Sequence, residues 1–129
     1  MELLYSDDLI IAIKKPAGML TIPDGYDKSL PNLKSILENE YQKIWTVHRL
    51  DKDTSGVVLF ALTAACHKSL SIQFEKRQIK KIYLALIQGT PTKDVFDIDI
   101  PIKVDGDRRH RTVPDRVSGK SALTSIRIL

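Results

Sequence analysis

His48-Arg49-Leu50-Asp51-Lys52-Asp53-Thr54-Ser55-Gly56, almost entirely polar, runs straight into the apolar stretch Val57-Val58-Leu59-Phe60-Ala61-Leu62. A continuous apolar run of strand length reads as a buried strand, and the polar residues before it read as the loop that enters it. Ile44 to Val47, rich in β-branched and aromatic residues, predicts a strand on the other side of that loop. Loops held between rigid strands are where catalytic groups commonly sit. Asp51 fits a nucleophile, a general base or a metal ligand. Arg49 lies two residues earlier, so in extended chain both side chains face the same way, and an ion pair between them is the plain structural alternative. Thr54, Ser55 and Gly56 are turn formers whose hydroxyls and amides can fix the loop.

The rest of the chain predicts a mixed fold. Leu9, Ile11 and Ile13 alternate as a strand that ends at Lys15-Pro16-Ala17-Gly18, after which Thr21 to Lys28 reads as loop. Ser29 is a candidate N-cap, Pro31 suits a first helical turn, and Leu30, Leu33, Ile36, Leu37 and Tyr41 carry helical spacing to about Tyr41. Thr63 can cap a second helix with Cys66, Leu70, Gln73 and Phe74 on one face and basic residues near its end. Lys81 to Gln88 predicts a strand, with Ile82, Leu84 and Leu86 on one face and Tyr83, Ala85 and Ile87 on the other. Phe96, Ile98, Ile100 and Ile102 alternate again before a turn at Asp105-Gly106-Asp107, and Ala122 to Leu129 reads as a further strand for which a partner is expected beyond Leu129. The order indicates an α+β domain with a mixed, largely antiparallel sheet and flanking helices, with residues 1–129 as a single unit.

Composition narrows the class. A hydrophobic content of 43% in 129 residues supports a real core. No run of about 18 apolar residues occurs, and the acids in MELLYSDDLI stand where a secretory leader would be basic, so a cytoplasmic protein with no membrane partner is expected. Cys66 is the single cysteine, which excludes an intrachain disulfide and fits a reducing compartment. Net charge is +4. Some of the basic residues cluster in three groups: Lys14-Lys15; Lys76, Arg77, Lys80 and Lys81; and Arg108, Arg109, His110 and Arg111. Converging, they would form a groove for phosphates; separately, each is a solvated surface cluster.

Four stretches, taken together and in order, resemble the RluA-type pseudouridine synthases that modify ribosomal and transfer RNA. His48 to Gly56 with Val57 to Ala61 resembles that family's HRLD-x-x-TSG-apolar motif. Lys15-Pro16-Ala17-Gly18 resembles its KPxG motif, Lys80 to Ala85 with Gly89 its K-x-Y-x-A…G motif, and Gly119 to Thr124 its GK-x-A-x-T strand. The family's later GR-T-H-Q-I-R-type segment, which supplies an arginine for the catalytic aspartate, has no match after Thr124. The resemblance therefore spans the amino-terminal half to two-thirds of a catalytic domain, with no separate RNA-binding domain.

That resemblance implies isomerisation of uridine to pseudouridine in RNA, without metal or small-molecule cofactor, by a protein that is a monomer in its complete form. Asp51 would be the nucleophile, attacking either ribose or uracil while the base is detached and turned. The target uridine must leave its stack. Arg49 matches the family's arginine that fills the vacated space, and His48, Thr54, Ser55 and Gly56 are expected beside it as substrate-binding residues, His48 also bracing the loop. Tyr83 matches the tyrosine that packs on the uracil and takes the proton from its ring carbon. His48, Cys66, His67 and His110 lack the paired spacing of a zinc site. Asp51 and Asp53, two residues apart, make a poor glycosidase pair. Arg108 to Arg111 is either an RNA-backbone grip or a disordered basic tip. Two other readings remain: an RNA-binding module of the same fold without turnover, and an unrelated aspartate hydrolase.

Overall fold

A computed structural model describes residues 1–108 and 111–129. The chain divides into two compact units, Met1–Tyr83 and Leu84–Leu129.

The first unit is built on a four-stranded antiparallel sheet. It contains β1 (Glu2–Ser6), β2 (Ile10–Lys15), β3 (Trp45–Thr46) and β4 (Gly56–Ala61), in the order β1-β2-β4-β3. β2 and β4 are central, and their register sets Ile11 opposite Phe60, Ile13 opposite Val58 and Lys15 opposite Gly56. Period-two alternation puts Ile11 and Ile13 on one face of β2, where they meet Val58 and Phe60 in the core. Leu33 and Leu37 of the short helix α1 (Leu33–Leu37) cover that face together with Ile44 and Leu50.

Helix α1 starts later than expected. Asn32, extended at φ −140° and ψ 151°, caps it by accepting the Ser35 amide at 2.9 Å, while the Ser29 hydroxyl donates to Asp27 instead. Pro31 accounts for part of the shift. It sits ahead of the cap rather than in the first turn, and it disfavours helical backbone at the residue before it. The regular helix ends at Leu37, although turn hydrogen bonds continue to the Tyr41 amide, which donates to the Leu37 carbonyl at 2.8 Å. Helix α2 (Ala64–Glu75) is capped by Thr63, whose hydroxyl accepts the Cys66 amide at 3.2 Å, as the sequence predicts.

The strand expected over 81–88 does not form. Ile82, Leu84 and Leu86 are largely exposed, and no described strand pairs with this segment. Alternation supplies a face to bury but not a neighbour for the backbone, and a strand needs both.

In the second unit the run from Phe96 to Ile102 is split. β5 (Val95–Asp99) pairs antiparallel with β8 (Leu123–Arg127), and β6 (Ile102–Lys103) pairs antiparallel with β7 (Val113–Pro114). Pro101 lies between β5 and β6, where its missing N–H removes a ladder donor. The turn after β7 is organised by Asp115, whose carboxylate accepts from the amides of Val117 and Ser118 and from the Ser118 hydroxyl at 2.8–2.9 Å. Those bonds hold its carboxyl down at about 2. Gly119 then passes so close to the chain that a Cβ there would lie 2.2 Å from the Asp115 carbonyl oxygen. Lys120 continues the contact, exchanging both backbone hydrogen bonds with Ile102 at 2.8 and 2.9 Å. The sequence pair Gly119-Lys120 is thus a backbone crossing point. Among the described residues, no helix is long and apolar enough to cross a membrane.

Candidate active site

The loop between β3 and β4 is held from beneath. Leu50 is buried in the core, whereas its neighbours Arg49 and Asp51 are exposed, so one apolar anchor turns both polar side chains outward. Its backbone is fixed by Thr21, which is itself buried: the hydroxyl donates to the Leu50 carbonyl at 2.8 Å and accepts the Leu50 amide at 3.1 Å. Both backbone groups of Leu50 are thereby satisfied away from water.

One residue past Asp51, the Lys52 carbonyl accepts from two donors, the Gly18 amide at 2.8 Å and the Lys15 ammonium at 3.0 Å. Lys15 is fully buried, on the core face of β2 after Ile11 and Ile13, and also donates to the carbonyls of Met19 at 2.6 Å and Pro16 at 3.0 Å. Burial pulls its ammonium below the ordinary lysine range, and the charges of Asp53 and Asp51 partly offset that. Gly18 reaches Lys52 at φ +81°, a left-handed conformation that glycine adopts without strain. Lys15-Pro16-Ala17-Gly18 is thus a clamp on the Asp51 loop. This corrects the expectation that Lys14 and Lys15 offer cations to phosphate: Lys15 faces inward, and Lys14 pairs with Glu2 at 3.0 Å. Thr54 closes the loop by donating its amide to the Asp51 carbonyl at 3.1 Å; Ser55 is exposed, and Gly56 begins β4.

His48 stands at the loop's other end. Its Nε2 accepts the Leu59 amide at 3.0 Å, and its ring stacks on Phe74 of α2 with centroids 4.7 Å apart. Desolvation first, and then the charge of Lys81, hold the imidazole below its ordinary range, toward the neutral form that can accept that bond.

Arg49, Leu50, Asp51 and Lys52 form one side of a cleft of about 230 Å³, and Leu20, Ile22, Pro23, Asp24 and Gly25 complete it. Among the described residues, no ion pair joins Arg49 to Asp51 and no group of three metal-ligating side chains occurs. Tyr83, 57% exposed, does not line the cleft. Arg109 and His110 lie outside the described residues; Arg111 pairs with Asp107 at 2.6 Å. Sequence reasoning read Thr21 as loop and missed its part in the site. A threonine bonding to backbone distant in the chain leaves no local pattern.

Residues 9–129 match the family described as RNA pseudouridylate synthase. The chain is 34% identical over 129 residues to the dual-specificity RNA pseudouridine synthase RluA of Yersinia pestis, covering all of this chain and 63% of that protein. It is 41% identical over 106 residues to tRNA pseudouridine synthase C of Haemophilus ducreyi, covering 81% of this chain and 43% of that one. Its fold is similar to that of human RNA pseudouridylate synthase domain containing 1, at a TM-score of 0.74 and 24% identity over 95% of this chain and 49% of that one. The chain thus spans less than two thirds of the length of these relatives. A cleft walled by the Asp51 loop, on a fold shared with such synthases and within a sequence match of 121 residues (9–129), assigns this chain to the RNA pseudouridylate synthase family.

Proposed function

We propose that the chain is part of the catalytic domain of an RNA pseudouridine synthase that isomerises uridine in ribosomal or transfer RNA, with Asp51 as nucleophile. The observation that carries this reading is an exposed carboxylate on the wall of a cleft, flanked by Arg49 and Lys52, on a loop whose backbone is clamped at Leu50 and Lys52. Breaking the bond from ribose to ring nitrogen, turning the uracil and rejoining it through carbon needs one fixed group that traps the detached intermediate. A carboxylate on a rigid loop meets that need, with no electron transfer. Arg49 stacks in the space the extruded base leaves and contacts phosphate. Thr54, Ser55 and Gly56 hold the turn and His48 braces the loop; Tyr83, which lies outside the cleft lining, is given the uracil contact and its proton by the motif resemblance alone. A cytoplasmic monomer without cofactor is the setting we propose.

Tritium release from RNA labelled at the uridine ring carbon tests this, on this chain and on the complete gene product in parallel. Asp51→Asn is expected to reduce release by about a thousandfold or more while RNA affinity stays within about twofold. The reading fails if the complete gene product binds the RNA and releases no tritium; that outcome favours an RNA-binding module.

A further inference from the structure

The far wall of the cleft, Ile22-Pro23-Asp24-Gly25, leads directly into Tyr26, whose side chain is 89% exposed. Two successive Asx turns fix the backbone on either side of that ring. The Asp24 carboxylate accepts the Tyr26 amide at 2.8 Å and the Asp27 amide at 2.9 Å, and the Asp27 carboxylate accepts the Ser29 amide at 2.9 Å. A ring so exposed adds little to the core, yet it is presented on a pinned turn one residue beyond the cleft lining. Lys52 stands in the same cleft with its backbone held by Lys15 and Gly18. Its charge reaches the Asp24 carboxyl, which the two amide bonds first and Lys52 last hold below the usual carboxylate range. Lys52 is therefore near the turn that carries Tyr26.

We infer that Tyr26 and Lys52 form a subsite for the nucleotide adjoining the target uridine, whose base stacks on the tyrosine ring while its phosphate meets the ammonium. This rests on the proposed function. Extruding a uridine uncovers one face on each of its two neighbours; Arg49 in the vacated space covers one, and an aromatic ring replaces the lost stacking on the other for any base. The ligand class is an unpaired ribonucleotide in an RNA loop. Duplex RNA, with its bases stacked on both faces, is disfavoured.

The test is a double-mutant cycle between protein and RNA. The probe is a fluorescein-labelled RNA hairpin with one loop uridine, compared with hairpins in which the nucleotide on either side of that uridine is abasic. Tyr26→Ala is expected to weaken binding of the intact hairpin roughly tenfold or more, and Tyr26→Phe to restore it. One of the abasic hairpins should bind wild type equally weakly, with no further loss in Tyr26→Ala. Lys52→Gln should lower the slope of log affinity against log salt by about 0.7, the loss of one phosphate contact. If wild type binds the hairpin while Tyr26→Ala binds within twofold of it, or the two losses add, the subsite is wrong and the proposed function stands. If wild type binds neither this hairpin nor linear uridine RNA, both fall together. A binding loss in Tyr26→Ala that Tyr26→Phe restores, read at a temperature where thermal melting shows both variants folded, reports the subsite.

Discussion

Thr21 and Lys15 act on the same loop by different chemistry, and their losses should differ accordingly. Thr21 supplies a donor and an acceptor to a buried backbone unit, so Thr21→Val leaves the amide and carbonyl of Leu50 unpaired in an apolar setting. Each group stranded in this way costs about 1–3 kcal/mol, whereas Thr21→Ser keeps both bonds. Urea unfolding should place Thr21→Val about 2–4 kcal/mol below wild type and Thr21→Ser much closer; a loss in Thr21→Ser as large as in Thr21→Val would show that the hydroxyl bonds are not what sets Thr21 apart. Lys15→Met keeps the volume and removes three hydrogen bonds, but the Lys52 carbonyl retains the Gly18 amide. Its expected signature is therefore a loop effect. Amide exchange at Lys52 to Thr54 should speed by about tenfold, even where global stability falls by only about 1–3 kcal/mol. Lys15 was legible in part: the alternation of Ile11, Ile13 and Lys15 assigns it to the core face, and its charge pointed the other way.

Between elements, the join of the Asp51 loop to β4 and α2 runs through a neutral imidazole. Protonation of His48 would remove the acceptor for the Leu59 amide and place a cation beside Phe74 and near Lys81. Because the folded state lowers this group's affinity for protons, the unfolded chain binds more protons once the pH falls to about 6.5. Stability is whole above that value and is lost on acidification toward the lower, folded value, by at most about 1.4 kcal/mol per pH unit. His48→Gln, whose amide oxygen can accept the same bond, should flatten the fall of unfolding free energy on acidification below about pH 6.5. An unchanged slope in that variant would assign the acid sensitivity to another group. At Gly119, where the obstacle is backbone, Gly119→Ala should destabilise the pairing around Ile102 and Lys120 by about 1–3 kcal/mol, read by urea unfolding and by faster exchange of those two amides. At this scale the elements whose own residues carry a clear pattern were legible: β2, β4, the Thr63 cap and the loop between β3 and β4. What escaped lacked that, or lacked a partner to pair with. The α1 cap was taken by Asn32 because Pro31 precedes it, and residues 81–88 have alternation without a pairing partner among the described strands.

Across the whole molecule, a net charge of +4 overstates what some basic groups offer to RNA and says nothing of where the rest lie. Lys15 is spent on carbonyls, Lys14 on Glu2 and Arg111 on Asp107. Lys76, Lys80 and Lys81, by contrast, are exposed just beyond α2, and the charge of Lys81 is felt at His48, beside the Asp51 loop. The electrostatic footprint within the first unit should therefore be this cluster together with Arg49 and Lys52. Replacing Lys80 and Lys81 together by Ala should lower the slope of log affinity against log salt by about 1.4, from two contacts at about 0.7 each on single-stranded RNA. Lys14→Ala, removing a lysine of equal formal charge from the pair with Glu2, should leave that slope almost unchanged. Fluorescence anisotropy with a uridine-containing RNA at several salt concentrations measures both. Equal changes in the two variants would mean that RNA responds to overall charge rather than to a local track of cations beside the cleft.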